Sequence, residues 1–329
     1  MSYRDLKYRV LNLNSSEEFE RLALDVFKYQ YTNCKVYHEF CDYLNVSVEG
    51  VTSMEQIPFL PIEFFKTHKV LSTTSPIETT FSSSGTSGMQ TSQHYVTDID
   101  LYQHNFIQIF EAFYGRLEDY VILALLPSYL EREGSSLIFM VNDLIQKTHH
   151  HDSGFYLHNT KDLHDKLTEL EAKQQQTILI GVSFALLDFV ETYTMQLRHA
   201  IVMETGGMKG RRKEMIREEL HTVLKQGFGV DVIHSEYGMT ELLSQAYSKG
   251  NGIFELPKTM QVFIRDVEDP LTLIFEGKTG GINVIDLANI NSCSFLATKD
   301  LGRYVKKNQL EILGRFDNSD IRGCNLLTL

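Results

Sequence analysis

The sequence predicts an α/β fold with a largely parallel sheet, and three observations carry that prediction. From residue 98 to 250, short apolar runs alternate with segments whose apolar residues recur at helical spacing, the rhythm of strand–helix units. The apolar runs are continuous, as expected of strands buried on both faces. From 253 to 313 the chain turns β-rich, with Gly280-Gly281 and Gly302 as expected turns.

Taken in order, residues 15–45 set Phe19, Leu22, Leu24 and Phe27 at helical spacing and predict a helical N-terminal layer. Pro58 and Pro61 then force an extended crossing. The stretch from Met89 to Val96 is polar and then β-like, which predicts a hairpin rather than a domain boundary. Phe106, Ile109, Phe110 and Phe113 follow the pattern of a buried helix face. Val121–Leu126, ended by Pro127, reads as a buried strand. Thr177–Val182 repeats the signal, before a helix with Leu186, Phe189, Val190 and Tyr193 on one face. A strand at Ala200–Met203 leads to Gly206-Gly207. The next helix carries Ile216, Leu220, Val223 and Leu224, ends at Gly227, and precedes an apolar strand from Asp231 into Tyr237. These readings divide the chain into a helical layer (1–75), an α/β core (76–250) and a β-rich subdomain (251–329).

Composition narrows the function. The chain of 329 residues is 43% hydrophobic and 22% charged, ordinary globular usage with enough length for a large core. Its 43 acidic and 31 basic residues leave a formal charge of -12, which argues against general nucleic-acid binding. No apolar run approaches a membrane span, and the start Met1-Ser-Tyr-Arg-Asp-Leu-Lys is not a signal peptide. Four cysteines (Cys34, Cys41, Cys293, Cys324) are too sparse for a disulfide framework, so a cytoplasmic, reducing setting is expected.

The chemistry concentrates in four segments. Ser82-Ser83-Ser84-Gly85-Thr86-Ser87-Gly88 combines hydroxyl donors with glycines that let backbone amides approach an anion, so it can wrap phosphates. A flexible Ser/Gly linker is the other reading of that stretch alone, and the absence of a following Lys-Ser/Thr excludes a Walker A loop. In Tyr237-Gly238-Met239-Thr240-Glu241 a tight turn at a strand tip presents a hydroxyl for phosphate and a carboxylate suited to Mg²⁺. Because Gly206-Gly207 also ends a predicted strand, the two can share one site. Ala297-Thr-Lys-Asp300-Leu-Gly-Arg303 supplies an acid for paired sugar hydroxyls, and Gly314-Arg315-Phe-Asp-Asn-Ser-Asp-Ile-Arg-Gly323 a guanidinium and a turn. The run His149-His150-His151-Asp152 reads as a solvated loop, since consecutive histidines cannot all face one ion from regular structure. Lys66 and His68 suit a carboxylate or a phosphate, with nothing to decide between them.

In this order the four segments resemble the adenylate-forming superfamily of acyl-CoA synthetases, luciferases and adenylation domains. Pro58-Phe-Leu-Pro-Ile-Glu-Phe-Phe-Lys-Thr-His68 and the terminal Arg322-Gly323-Cys324-Asn325-Leu326 narrow the resemblance to the acyl-protein synthetase (LuxE) family. It implies the fold of the superfamily's large N-terminal domain, with ATP and Mg²⁺ used to activate a carboxylic, in particular a fatty, acid. It further implies that Thr240 contacts the α-phosphate, Glu241 holds Mg²⁺, Gly206-Gly207 floor the adenine pocket and Tyr237 stacks on the base. Asp300 would bind the ribose hydroxyls with Arg315 assisting. Cys324 would carry the acyl group to an acyl reductase or another acyl-accepting protein, with Arg322 lowering the thiol pKa. Two departures stand out: Met89-Gln90-Thr91 follows Gly88 where the superfamily continues Gly-x-Pro-Lys, and only six residues follow Gly323. The superfamily's mobile C-terminal domain, with its lysine, is therefore expected to be absent. A ligase or acyltransferase with a small-molecule acceptor, and a member that binds without turnover, remain open as other readings.

Overall fold

A computed structural model describes residues 1–83, 90–126, 134–157, 159–206, 215–274, 277–306 and 308–315. The chain divides into two compact units, one of residues 1–77, 94–97 and 255–329, the other of residues 78–93 and 98–254.

The first unit opens with α1 (Tyr3–Leu11), α2 (Ser16–Asn33) and α3 (Lys35–Tyr43). Ser2 and Ser15 cap the first two by accepting from the amides of Asp5 and Glu18, which satisfies N–H groups that lack a helical partner. The expected helical layer is present. Its α2 stripe is Phe19, Leu22, Ala23, Val26, Phe27 and Gln30, while Leu24 is only half-buried. The proline crossing contains β1 (Leu60–Pro61) and is followed by α4 (Phe64–Thr67).

The chain continues through β2 (Thr79–Ser82) and β3 (Gln93–Val96) into α5 (Ile99–Tyr114), β4 (Val121–Leu125), α6 (Ser136–Lys147) and β5 (Gly154–Phe155). Then come α7 (Thr160–Ala172), β6 (Thr177–Val182), α8 (Ser183–Thr192), β7 (Ala200–Thr205), α9 (Arg217–Phe228), β8 (His234–Tyr237) and β9 (Ala246–Ser248). The second unit's sheet runs β9-β8-β7-β6-β4-β5. Its pairs are parallel from β5 to β8, and β9 closes antiparallel. Every residue of β4 and β6 is buried, which is why these strands read as unbroken apolar runs.

Two details differ from the periodicity. On α9 the buried residues are Leu220, His221, Leu224 and Phe228; Ile216 is the exposed residue before the first turn, and Val223 is exposed too. The stripe continues one turn further than the sequence suggests, and Gly229, left-handed at φ 66, ends the helix instead of Gly227. The strand expected from Asp231 begins only at His234.

Past β10 (Ile253–Glu255) lie β11 (Met260–Arg265), β12 (Leu273–Ile274), β13 (Gly280–Asp286), β14 (Phe295–Lys306) and β15 (Gln309–Arg315). In the first unit these pair antiparallel in the order β12-β11-β13-β14-β15, and β1 joins β14 in parallel. Gly280, Gly281 and Gly302 are not turns; they lie inside strands. A Cβ on Gly280 would stand 2.2 Å from the Arg265 carbonyl oxygen, and one on Gly302 2.7 Å from that of Glu311. Register shifts beside Gly281 and Gly302 mark bulges. Glycine inside a strand serves close backbone approach, and a single sequence does not distinguish that use from a turn.

Buried Gln30 ties α2 to the β13–β14 connection. Its Nε2 donates to the carbonyls of Asn289 and Ile290 and its Oε1 accepts from the Ser294 amide, at 2.8–2.9 Å. Gln30→Leu keeps the volume but strips buried backbone groups of their partner, and should cost about 1–3 kcal/mol. Urea unfolding should show a lower midpoint at unchanged slope; an unchanged midpoint would mean that the cross-link contributes nothing.

Candidate functional site

Parallel pairing brings two of the expected segments to neighbouring strand ends in the second unit. β7 and β8 run side by side, with Met203 opposite His234, Glu204 opposite Ser235 and Thr205 opposite Glu236. Gly206 follows β7 directly, in the left-handed region at φ 68. Tyr237 ends β8, and the chain turns through Gly238, Met239 and Thr240 to Glu241, where the Leu242 amide donates to the Met239 carbonyl at 3.1 Å. Ligands of open parallel sheets bind beyond such carboxyl ends. Tyr237 and Thr240 are half-buried, Gly238 is exposed and Glu241 is buried. The Tyr237 ring meets Phe254 at 6.0 Å between centroids.

The entry to the hydroxyl loop is anchored in the same unit. The Ser82 amide donates to the Gly134 carbonyl at 2.8 Å, and Ser83 pairs with Ser92 through its amide (3.1 Å) and its hydroxyl (2.9 Å). Ser84, Gly85, Thr86, Ser87, Gly88, Gly207 and Cys324 lie outside the described residues.

Asp300 and Arg315 belong to the first unit, where β14 and β15 place them directly opposite each other. The Arg315 Nε donates to Asp300 Oδ1 at 3.4 Å; the carboxylate is buried and the guanidinium mostly exposed. Arg265, not singled out by sequence reasoning, is buried on the same sheet. It donates from Nη1 to the Ile282 carbonyl and Asn283 Oδ1 and from Nη2 to the Thr298 carbonyl. Burial pulls its pKa down, opposed by the charges of Glu63 and Asp300.

Sequence reasoning also missed a buried acidic pair beneath the second unit's strand ends. Glu204 and Glu236 are both buried, on adjacent strands. The Glu204 Oε1 lies 3.6 Å from both Arg217 Nε and His221 Nε2, and the Ser183 hydroxyl reaches its Oε2 and the Gly206 carbonyl. Burial raises the Glu204 pKa, but His221, Arg217 and Ser235 outweigh it and hold the carboxyl below its ordinary value. Glu236 differs. Its hydrogen-bond partner is the Thr205 hydroxyl, and burial, with the Glu204 charge adding, pushes it up to about 7. No local signal marked the pair, since Glu236 lies in a strand, His234-Ser-Glu-Tyr237, whose residues are all polar or aromatic.

His150, His151 and Asp152 bring ligand atoms within 4.8 Å of one another, closer than consecutive residues were expected to come. The Asp152 carboxylate is already engaged by Lys166 at 2.7 Å and His151 is exposed, as in a solvated surface cluster. Cys34, Cys41 and Cys293 are buried thiols; burial pushes Cys41 up to about 12 and Cys293 well above the ordinary range, which leaves them poor nucleophiles. Among the described residues no helix is long and apolar enough to cross a membrane.

Comparison with known proteins adds the context. Residues 9–98 match the family described as acyl-protein synthetase, LuxE, a stretch that includes Pro58–His68 and the hydroxyl loop. The long-chain-fatty-acid–luciferin-component ligase of Photorhabdus luminescens is 35% identical over 72 residues, 22% of this chain and 61% of that relative. Among solved structures, a 2-hydroxyisobutyryl-CoA ligase bound to its adenylate and CoA matches 93% of this chain and 72% of its own, at 11% identity and TM-score 0.67. ATP-bound MatB from Rhodopseudomonas palustris matches 73% of this chain at 16% identity and TM-score 0.55, and the match spans 48% of MatB. The chain is thus similar over residues 9–98 to the acyl-protein synthetases of the LuxE family, and it has the α/β fold of the adenylate-forming acyl-CoA ligases.

Proposed function

We propose that this protein activates a carboxylic acid with ATP as an acyl-adenylate and then carries the acyl group on Cys324 to an accepting partner. The observation that supports this most is the placement of Tyr237–Glu241 just beyond the carboxyl end of β8, beside β7 and Gly206. In the first half-reaction a carboxylate oxygen of the acid attacks the α-phosphorus of ATP and pyrophosphate leaves. Thr240 would donate its hydroxyl to the α-phosphate, Tyr237 would stack on the adenine above the Gly206-Gly207 floor, and Ser82 to Gly88 would wrap the outgoing phosphates. Asp300 would take the ribose hydroxyls, with Arg315 exchanging its present ion pair for a contact to the nucleotide.

The residues at the turn fit Mg²⁺, which is usually held by one or two carboxylates together with substrate phosphates. Glu241 supplies that carboxylate and the ion would neutralise phosphate charge. In the second half-reaction the Cys324 thiolate attacks the acyl carbonyl and AMP leaves, while the buried thiols of Cys34, Cys41 and Cys293 stay out of the chemistry. A fatty acid is the favoured substrate because the curated relative is named for a long-chain one. An acyl reductase would be a suitable acceptor of the thioester.

Acid-dependent ATP–pyrophosphate exchange tests the first step. Glu241→Gln should abolish exchange without lowering the melting temperature; near-normal exchange would remove Glu241 from the site. Asp300→Ala should weaken ATP binding by about 1.5–3 kcal/mol, roughly ten- to a hundredfold in Kd, as measured by titration calorimetry. An unaltered Kd would detach Asp300 from the nucleotide. Cys324→Ser should keep exchange but lose the hydroxylamine-labile acyl label, and Cys34, Cys41 and Cys293 variants should retain it. A label that survives in Cys324→Ser places the acyl group elsewhere, and acyl-CoA formed with no protein label favours the small-acceptor ligase.

A further inference from the structure

The acidic pair under the strand ends has no part in the chemistry above. Its two members sit in opposite surroundings. Glu204 has Arg217 and His221 from α9 against it; Glu236, among the described residues, has no ion-pair partner at all. Tyr247, opposite Glu236 on β9, is a neutral phenol whose pKa burial drives well above its ordinary value. Among the described residues the charge acting on Glu236 is therefore the Glu204 anion, one strand away. Environments that separate two neighbouring carboxyls in this way leave one ionised and the other holding its proton.

The neutral acid is built into the turn. A Cβ on Gly238 would stand 2.5 Å from Glu236 Oε1 and 3.3 Å from Gln245 Cγ, so the turn lies directly on the Glu236 carboxyl with Gln245 beside it. Buried Gln245, beside the same turn, has an Oε1 without a hydrogen-bond partner among the described residues, an acceptor still lacking a donor. The other carboxyl oxygen, Oε2, accepts from the Thr205 hydroxyl at the end of β7.

We propose that Glu236 is a positioning residue for the Tyr237–Glu241 turn: as the neutral acid it clamps the turn between Thr205 and Gln245, and loss of its proton releases it. An ionised Glu236 would lack a proton for Gln245 and would repel Glu204 across the β7–β8 pair. Because burial and the Glu204 charge set its pKa near 7, the clamp is complete below neutral pH and opens as pH rises through about 7. Its consequence for catalysis rests on the adenylation reading; the clamp itself does not.

Two measurements across pH 5.5–9 test this. The chain contains no tryptophan, so Phe254→Trp, next to Tyr237, is a single fluorescent reporter of the turn. Its emission should shift with a midpoint near pH 7, and Glu236→Gln, which keeps the shape and supplies an amide donor, should abolish that shift. Acid-dependent exchange should hold a plateau below neutrality and fall about tenfold per pH unit above it, a limb that Glu236→Gln should remove while matching the wild-type plateau. A reporter shift that persists in Glu236→Gln, or the absence of any shift near neutrality, overturns the clamp. An exchange limb unchanged by Glu236→Gln overturns its link to catalysis. If no acid supports exchange at any pH, the adenylation reading fails and the reporter alone decides the clamp.

Discussion

The parallel register of β7 on β8 is the constraint from which the candidate site follows. β7 is apolar from Ala200 to Met203 and turns polar only at Glu204 and Thr205, where it ends, as expected of a strand buried in a parallel sheet. β8 brings Ser235 and Glu236 alongside. With Met203 opposite His234, the last residues of the pair come out level, and Thr205 faces Glu236 where β7 ends, while Tyr237 stays paired with Ala246 of β9. A slip of one residue would turn every side chain of β8 to the other face. Thr205 would then no longer meet Glu236, and the glycine of the turn would no longer rest on a carboxyl.

Burying two carboxyls next to each other is costly, and the protein handles them differently. Glu204 remains ionised because α9 brings a guanidinium and an imidazole to one of its oxygens and Ser183 a hydroxyl to the other. Burial instead pushes the Glu236 carboxyl up to about 7, so below neutral pH it is neutral. Desolvation penalises an ionised acid far more than a neutral one, and a hydroxyl and an amide are enough to satisfy the neutral form. Helix α9 thus contributes to the site from beneath, through residues that no ligand need touch.

In the first unit the organising feature is close backbone approach. Gly280 and Gly302 admit neighbouring carbonyls where any Cβ would clash, and Gly281 leaves room for the buried Arg265 guanidinium, 2.5 Å from where its Cβ would lie. Arg265 then binds β13 and β14 together through backbone oxygens. On the same sheet the β14–β15 pairing sets Asp300 against Arg315, two residues that the sequence could relate only by their order in the chain.

What the sequence determined by itself was the architecture. Continuous apolar runs identified the buried strands, helical spacing the layers that cover them, and Tyr237-Gly-Met-Thr-Glu241 a strand-end turn, because each is a local pattern read within a few residues. Where the signal was ambiguous locally, tertiary packing decided. Gly280, Gly281 and Gly302 looked like turns because glycine serves turns and close contacts alike, and Ile216 and Val223 looked buried because apolar character alone does not reveal which side of a helix meets the sheet. The acidic pair was invisible for a deeper reason. A carboxyl's charge state depends on what lies across the neighbouring strand and helix, and Glu204, Arg217 and His221 reach Glu236 or its partner only once the chain has folded.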